Sequence, residues 1–189
     1  MRATGQAESG GPAYALWLYI NFVKLYIMAK DLVFLRHGQA AFSSSASDKI
    51  LTETGKAQVR TSATRLKQTG FQPEIIIVSP LARALETAKI AENILCCGGN
   101  TAEVQVENSL AIQDSDAFMP VLSAALGKHS SVLVVGHVPM LEELPSEICG
   151  STVRMKTGSF ARLDVEGVLP GQRQDNSLKE NFIPGDTVL

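Results

Sequence analysis

The sequence predicts an α/β fold, a three-layer sandwich with a mainly parallel central sheet, and three observations predict it. Apolar runs at 31–36, 74–78 and 131–135 are short and rich in Val, Ile and Leu, as strands buried on both faces must be. Amphipathic stretches separate them, which is the alternation that builds βαβ units. Two of the runs, Leu32-Val33-Phe34-Leu35 and Val132-Leu133-Val134-Val135, lead to a histidine beside a glycine, at His37-Gly38 and Gly136-His137. Ligands bind at the carboxyl ends of strands in open parallel sheets, so both histidines fall where chemistry is expected.

The elements follow in order. After the first strand, the serine-rich stretch 43–48 reads as a loop. Thr52 can cap the next helix, whose apolar positions Ala57, Ala63 and Leu66 lie along one face. Gly70 ends it, and Pro73 precedes the second strand, 74–78. Ser79-Pro80 predicts a helix start, with Ser79 as N-cap and Pro80 at the first helical position. That helix carries Leu81, Leu85, Ala88, Ala91 and Leu95 inward and stops at Gly98-Gly99. A third strand covers 102–106, and a loop through Asp114 and Asp116 leads into a helix over 117–126, closed by Gly127. After the strand at 131–135 comes a helix whose first turn holds Glu142 and Glu143, carboxylates that suit the positive end of its dipole. Pro145 falls inside this helix and is expected to kink or end it. A last strand fits 159–165; residues 168–189 read as an irregular tail without a final strand.

A chain of 189 residues is long enough for one domain with a real core. That domain is placed at 28–167. Residues 1–27 differ from the rest: a small, polar, glycine-rich start is followed at 14–29 by an apolar stretch that holds Trp17 and all three tyrosines. This stretch is shorter than a comfortable membrane span of ~20 residues. A signal peptide and a membrane anchor stand against a third reading, favoured here, in which Met28 is the true start and the upstream residues are an extension. Membrane contact is expected only if 14–29 is an anchor. With 45% apolar and 19% charged residues and a net charge of −2, nothing points to nucleic acid as partner. Cys96, Cys97 and Cys149 are odd in number, with two adjacent, so reduced thiols in a cytoplasm are expected rather than a disulfide framework.

Three loops should converge at one sheet edge, bringing Arg36 and His37, Arg83, and His137. Guanidiniums offer planar, permanently charged donors to phosphate oxygens. A neutral imidazole can attack phosphorus, and a second can donate to the equatorial oxygens as charge builds. Gly38 and Gly136 would let the backbone approach a ligand closely. Taken singly, each residue has a plainer explanation: a strand-end histidine is commonly structural, and a helix arginine is commonly solvated. A metal held by His37, His137 and Asp114 lacks any supporting spacing, and two arginines would repel a cation. No metal and no cofactor is expected.

The ordered motifs Leu35-Arg36-His37-Gly38-Gln39-Ala40, Leu51-Thr52-Glu53-Thr54-Gly55, Ser79-Pro80-Leu81-Ala82-Arg83-Ala84-Leu85-Glu86-Thr87-Ala88, Gly136-His137-Val138-Pro139-Met140 and Thr157-Gly158-Ser159 are specific in combination. Through them the chain resembles the histidine phosphatase superfamily, of phosphoglycerate mutase-like fold, and is most similar to its small bacterial phosphohistidine phosphatase branch. The resemblance implies that His37 is phosphorylated and then hydrolysed, with Arg36, Arg83 and His137 completing the phosphate pocket. It implies a phosphorylated protein or a small phosphoester as substrate.

About fifty residues separate Arg83 from His137, too few for the helical insert with which larger mutase relatives cover their substrate. Relatives acting on alkyl phosphates place a Glu after the third strand; here the loop beyond Glu107 has none, leaving Asp114 or Asp116 as candidate general acids. A protonated imidazole leaving group needs less help than an alkoxide, so a weak acid site suits protein phosphohistidine. A small-molecule phosphomonoesterase is the alternative, and a non-catalytic phosphate- or partner-binding module the alternative of another class.

Overall fold

Alternation within the strands decides which helix packs where. The first strand, β1 (Lys30–Arg36), turns Leu32 and Phe34 to one side and Val33 and Leu35 to the other, all four fully buried. The computed structural model describes residues 30–42, 48–166 and 176–185, so the expectations for residues 1–27 lie outside it. After β1 come a short hairpin of β2 (Ala40–Phe42) and β3 (Lys49–Leu51), α1 (Glu53–Gln68), β4 (Ile75–Val78), α2 (Ala82–Leu95) and β5 (Glu103–Val106). Then follow α3 (Ser109–Ile112), α4 (Ser115–Lys128), β6 (Ser131–Gly136), α5 (Met140–Cys149), β7 (Phe160–Val165) and β8 (Ser177–Phe182).

The main sheet has the order β5-β4-β6-β1-β7-β8. Its first four strands are parallel, while β7 and β8 are antiparallel additions at one side. Leu32, Phe34, Ile75, Ile77, Val132 and Val134 pack on α4 and α5. Val33, Leu35, Ile76, Val78, Leu133 and Val135 pack on α1 and α2. Register then brings the functional ends level, with Arg36 opposite Gly136 and Val78 opposite Val135. The α/β sandwich and its mainly parallel sheet are as the sequence predicts.

Several local expectations are corrected. Ala57 is exposed; the stripe α1 buries is Gly55, Val59, Ser62, Ala63 and Leu66. Thr52 does cap that helix, its Oγ1 accepting from Gly55 N at 3.0 Å. Ser79 does not cap α2, which begins at Ala82 after Leu81, a residue without a capping side chain. The missing acceptor comes from far away in sequence: Asp48 Oδ2 accepts from Ala82 N at 3.0 Å. Leu85 is 39% exposed, and the inward residues of α2 are Ala84, Thr87, Ala88, Ala91 and Leu95. Helix α4 starts earlier and runs through Gly127 to Lys128. Pro145 does not end α5, which continues to Cys149; a proline there removes only the one N–H it lacks, and its ring is buried in the core.

The tail is not irregular throughout. Strand β8 pairs along β7, with a register shift at Arg162/Leu163. It alternates like an edge strand, with Leu178, Glu180 and Phe182 half-buried and its other residues exposed. Phe182 stacks on Phe160 at 5.2 Å, and Glu180 accepts from Arg65 Nε at 2.8 Å. The polar alternate residues hide this strand from a search for apolar runs. No helix among the described residues is long and apolar enough to cross a membrane.

Strand β8 is therefore part of the domain. Ending the chain after residue 176 should lower unfolding stability by about 2 kcal/mol, from re-exposing Phe160 and losing the partial burial of Leu178 and Phe182. Urea denaturation of the two chains checks this; equal midpoints would count against it.

Candidate active site

Three backbone hydrogen bonds fix the loops at the carboxyl edge of the sheet. His37 N donates to Gly136 O at 3.1 Å, Arg36 N to Ser159 O at 2.9 Å, and Ser79 N to Val135 O at 3.0 Å. Gly158 N reaches back to His37 O at 2.9 Å, so the residue after β1 is held on both sides. The two imidazoles meet as a result, with ring centroids 4.9 Å apart and planes tilted by 57°. Arg36 and Arg83 lie close enough to bear on both rings. Arg36, His37, Arg83 and His137 thus gather at one place, as the strand-end argument expects.

Glycine serves this site differently from the expectation. A Cβ on Gly38 would stand 2.4 Å from Gly55 O, and one on Gly55 would stand 2.0 Å from Gln39 O. The start of α1 is therefore clasped backbone-to-backbone against the loop that carries His37. A Cβ on Gly136 would meet the Leu141 side chain at 3.0 Å, again protein rather than ligand. Gly38 N donates to Thr87 Oγ1 at 3.3 Å, and Thr87 in turn donates to Arg83 O at 2.8 Å. Helix α2 thus supports the His37 loop and carries Arg83.

His37 Nδ1 lies 2.7 Å from Gly38 O. A carbonyl only accepts, so Nδ1 holds the proton and Nε2 presents a free lone pair. Burial pushes the His37 pKa down to about 4; the Gly38 carbonyl opposes this, while Arg83, Arg36 and Lys49 add to it. His137, 6% exposed, is also pushed down to about 4, first by burial and then by His37 and Arg83, with Asp48 opposing. Both rings are neutral at pH 7.

His137 Nε2 lies 2.8 Å from the fully buried Ser79 Oγ. Its Nδ1 is buried without a protein hydrogen-bond partner, and so is Arg36 Nε. Arg36 is anchored instead through Nη1, which donates to Met155 O at 2.7 Å, and its pKa is lowered by burial against the pull of Glu142. An unpartnered guanidinium N–H of Arg36 and an unpartnered imidazole nitrogen of His137, close to the second guanidinium of Arg83, suit an oxyanion. No group of His, Cys, Asp and Glu residues able to hold a metal occurs among the described residues.

Asp114 and Asp116 do not join the site. Asp114 caps α4, with Oδ1 accepting from Ala117 N at 2.9 Å, and Asp116 lies in the first turn of that helix. Glu107 is engaged by Ser109, which donates to it from N at 3.0 Å and from Oγ at 2.9 Å. A carboxylate that does bear on His137 and Arg83 is Asp48. Its Oδ1 accepts from Lys49 N at 2.6 Å and from Arg83 Nη1 at 3.3 Å. Sequence reasoning missed Asp48, Ser79 as the partner of His137, and Thr87. Ser79 and Thr87 both lie within the Ser79–Ala88 motif, which was their signal, whereas Asp48 ends a serine-rich stretch that read only as a loop.

Residues 32–111 match the histidine phosphatase superfamily (branch 1). A protein of Picosynechococcus, itself uncharacterised, is 32% identical over 144 residues, covering 74% of this chain and 82% of that one. The chain belongs to the histidine phosphatase superfamily. It is also 39% identical over 67 residues to the 2,3-bisphosphoglycerate-dependent phosphoglycerate mutase of Corynebacterium kroppenstedtii, a match that spans 33% of this chain and 27% of the mutase. Its fold is similar to that of the protein histidine phosphatase SixA complexed with tungstate, with TM-score 0.67, 23% identity and coverage of 82% and 97% of the two chains. A mycobacterial glucosyl-3-phosphoglycerate phosphatase shares it at TM-score 0.59 and 19% identity, with coverage of 79% and 97%.

Gly55→Ala should displace the His37 loop and destabilise the protein by about 1–3 kcal/mol, the usual range for overpacking, which thermal unfolding would measure. The histidine shifts also set a pH window. Between about 4 and the ordinary 6.5 the unfolded chain binds more protons at His37 and His137 than the folded one does. Stability therefore rises with pH across that window and falls as pH drops towards 4. Imidazole NMR titration should give midpoints near 4 for both rings; midpoints near 6.5 would contradict the burial argument.

Proposed function

We propose that this protein is a metal-independent phosphatase that passes phosphate through His37, with protein phosphohistidine as its substrate. The observation that carries the reading is the 2.7 Å bond between His37 Nδ1 and Gly38 O, which leaves Nε2 as a nucleophile beside two guanidiniums. In the first step the Nε2 lone pair forms a bond to phosphorus, and the bond to the leaving group breaks with its electron pair. Arg36, Arg83 and the Nδ1–H of His137 stabilise the equatorial oxygens as charge shifts. The hydroxyl of Ser79, donating to Nε2, keeps the His137 proton on Nδ1. Water then attacks phosphorus, the bond to Nε2 breaks, and the water proton leaves with phosphate or buffer.

The leaving group favours nitrogen over oxygen. An alkoxide must be protonated as it departs, yet Asp114 and Glu107 are engaged elsewhere. An imidazole already protonated on its far nitrogen departs neutral. A small phosphomonoester is the second reading, since a sugar-phosphate phosphatase shares the fold. The free thiols Cys96, Cys97 and Cys149 suit a cytoplasmic setting.

His37→Ala should abolish both turnover and the phosphoenzyme. His137→Ala should slow phosphorylation about 100-fold or more while leaving label trapped on His37. Rapid quench without acid, followed by peptide mass analysis, locates the label, and EDTA should not reduce turnover. Phosphate on His137, or full turnover in the His37 variant, would overturn the assignment.

A further inference from the structure

Asp48 is an anion placed inside a site built for anions. Its carboxylate is held by three donors: Lys49 N at 2.6 Å, Ala82 N at 3.0 Å and Arg83 Nη1 at 3.3 Å. These donors fix its position, and the two backbone N–H groups, Ala82 first, hold its pKa below the usual carboxylate value. It remains ionised at neutral pH and accepts hydrogen bonds rather than giving a proton. It also acts electrostatically on His137. A bare negative charge here opposes binding of a phosphate dianion, so it calls for a compensating gain.

Exposure within the site shows where that gain can arise. The three groups differ in exposure: His137 is 6% exposed, the Arg83 side chain 19% and that of Asp48 37%, so Asp48 is the one most open to solvent. His37 attacks from the sheet edge, so the leaving group lies on the far side of phosphorus, towards solvent. Asp48 is bound to Arg83, the guanidinium assigned to the phosphate in the phosphatase reading, and is the more exposed of the two. The neighbouring cation Lys49 places Nζ 5.2 Å from the centre of the Phe42 ring and still adds to the positive field at His37.

We infer that Asp48 is the residue that selects a nitrogen-linked phosphate, by accepting a hydrogen bond from the protonated far nitrogen of a phosphohistidine leaving group. The inference rests on the phosphatase reading given above. A carboxylate partner keeps that ring in its imidazolium form. When His37 Nε2 bonds to phosphorus, the P–N bond breaks and its electron pair returns to the ring. The ring departs as neutral imidazole and retains its far proton, so no acid is consumed. The positive charge passes to the phosphorylated His37 ring, and the balance closes within the site. An ester of serine or of a sugar brings no N–H to Asp48 and receives no proton from it, and it meets only the repulsion.

The test compares one peptide carrying phosphohistidine with p-nitrophenyl phosphate, whose leaving group needs no proton and offers no N–H. Asp48→Asn retains an acceptor for Ala82 N but loses the charge; Asp48→Ser retains a smaller acceptor. In both variants the ratio of kcat/KM for phosphohistidine to that for the aryl phosphate should fall about tenfold or more, the scale of one charge-assisted hydrogen bond. An unchanged ratio, including a parallel loss on both substrates from a mere capping or Arg83-holding role, would overturn the inference. Phosphoenzyme on His37 is measured in the wild type alongside. Label on His37 with an unchanged ratio removes only the role of Asp48. No label on His37 from either substrate removes the phosphatase reading and this inference together.

Discussion

The hydrogen bond from His37 Nδ1 to the Gly38 carbonyl is the constraint on which the site depends. It decides the tautomer, and the tautomer decides that a lone pair rather than a proton faces the phosphate seat. A carbonyl one residue away can do this only if its peptide is held in place. Gln58 holds that peptide from its N–H side, its Oε1 accepting from Gln39 N at 3.0 Å, while Thr87 holds the preceding peptide through Gly38 N and the contact of Gly38 with Gly55 closes the loop from behind. Two glycines here are a packing requirement of the protein itself, since either Cβ would run into backbone that cannot give way. The start of α1 and the second turn of α2 therefore act on the nucleophile without touching substrate.

Electrostatics in the same place run against ordinary economy. Two imidazoles with centroids 4.9 Å apart are set among two guanidiniums and largely removed from water. Burial first of all disfavours a proton on either ring, and both arginines, with His37 in the case of His137, add to this. The outcome is a neutral nucleophile and a neutral donor in a field that is positive on balance. That field suits a dianion, whose arrival reverses the argument for His137. Once phosphate is seated, a proton on His137 is stabilised rather than opposed, and Ser79 Oγ, 2.8 Å away, can accept from Nε2 as readily as it donates.

What the sequence made legible was whatever depends on local pattern. Three apolar runs gave the inner parallel strands β1, β4 and β6, because strands buried on both faces leave no other composition. Their ends gave Arg36, His37 and His137, and the motif after β4 gave Arg83. Illegible were the contacts that join residues far apart in the chain. Ser79 looked like a helix cap because Ser-Pro usually is one, yet tertiary packing gave its hydroxyl to His137 and moved the helix start to Ala82. Ala57 and Leu85 fitted an apolar stripe and turned out to face solvent, because small residues such as Gly55 and Ala84 let the helices sit closer on other faces. Strand β8 has four polar residues among its six and is specified by its partners Phe160 and Arg65 rather than by its own composition.

Two aspartates show most directly how position separates structure from chemistry. Asp114 and Asp48 both accept from the first N–H groups of a helix, at 2.9 and 3.0 Å. Asp114 precedes its own helix by one residue, and its carboxylate does nothing else in the structure. Asp48 caps a helix that begins 34 residues later, and a hairpin must fold across to deliver it. Local cappers for α2 were available, since a Ser or Asp at position 81 would serve α2 as Asp114 serves α4. A distant carboxylate accomplishes what a local one does not: one group satisfies the helix terminus, holds Arg83 and acts electrostatically on His137. The start of α2, the Arg83 guanidinium and the start of β3 thus meet at a single side chain.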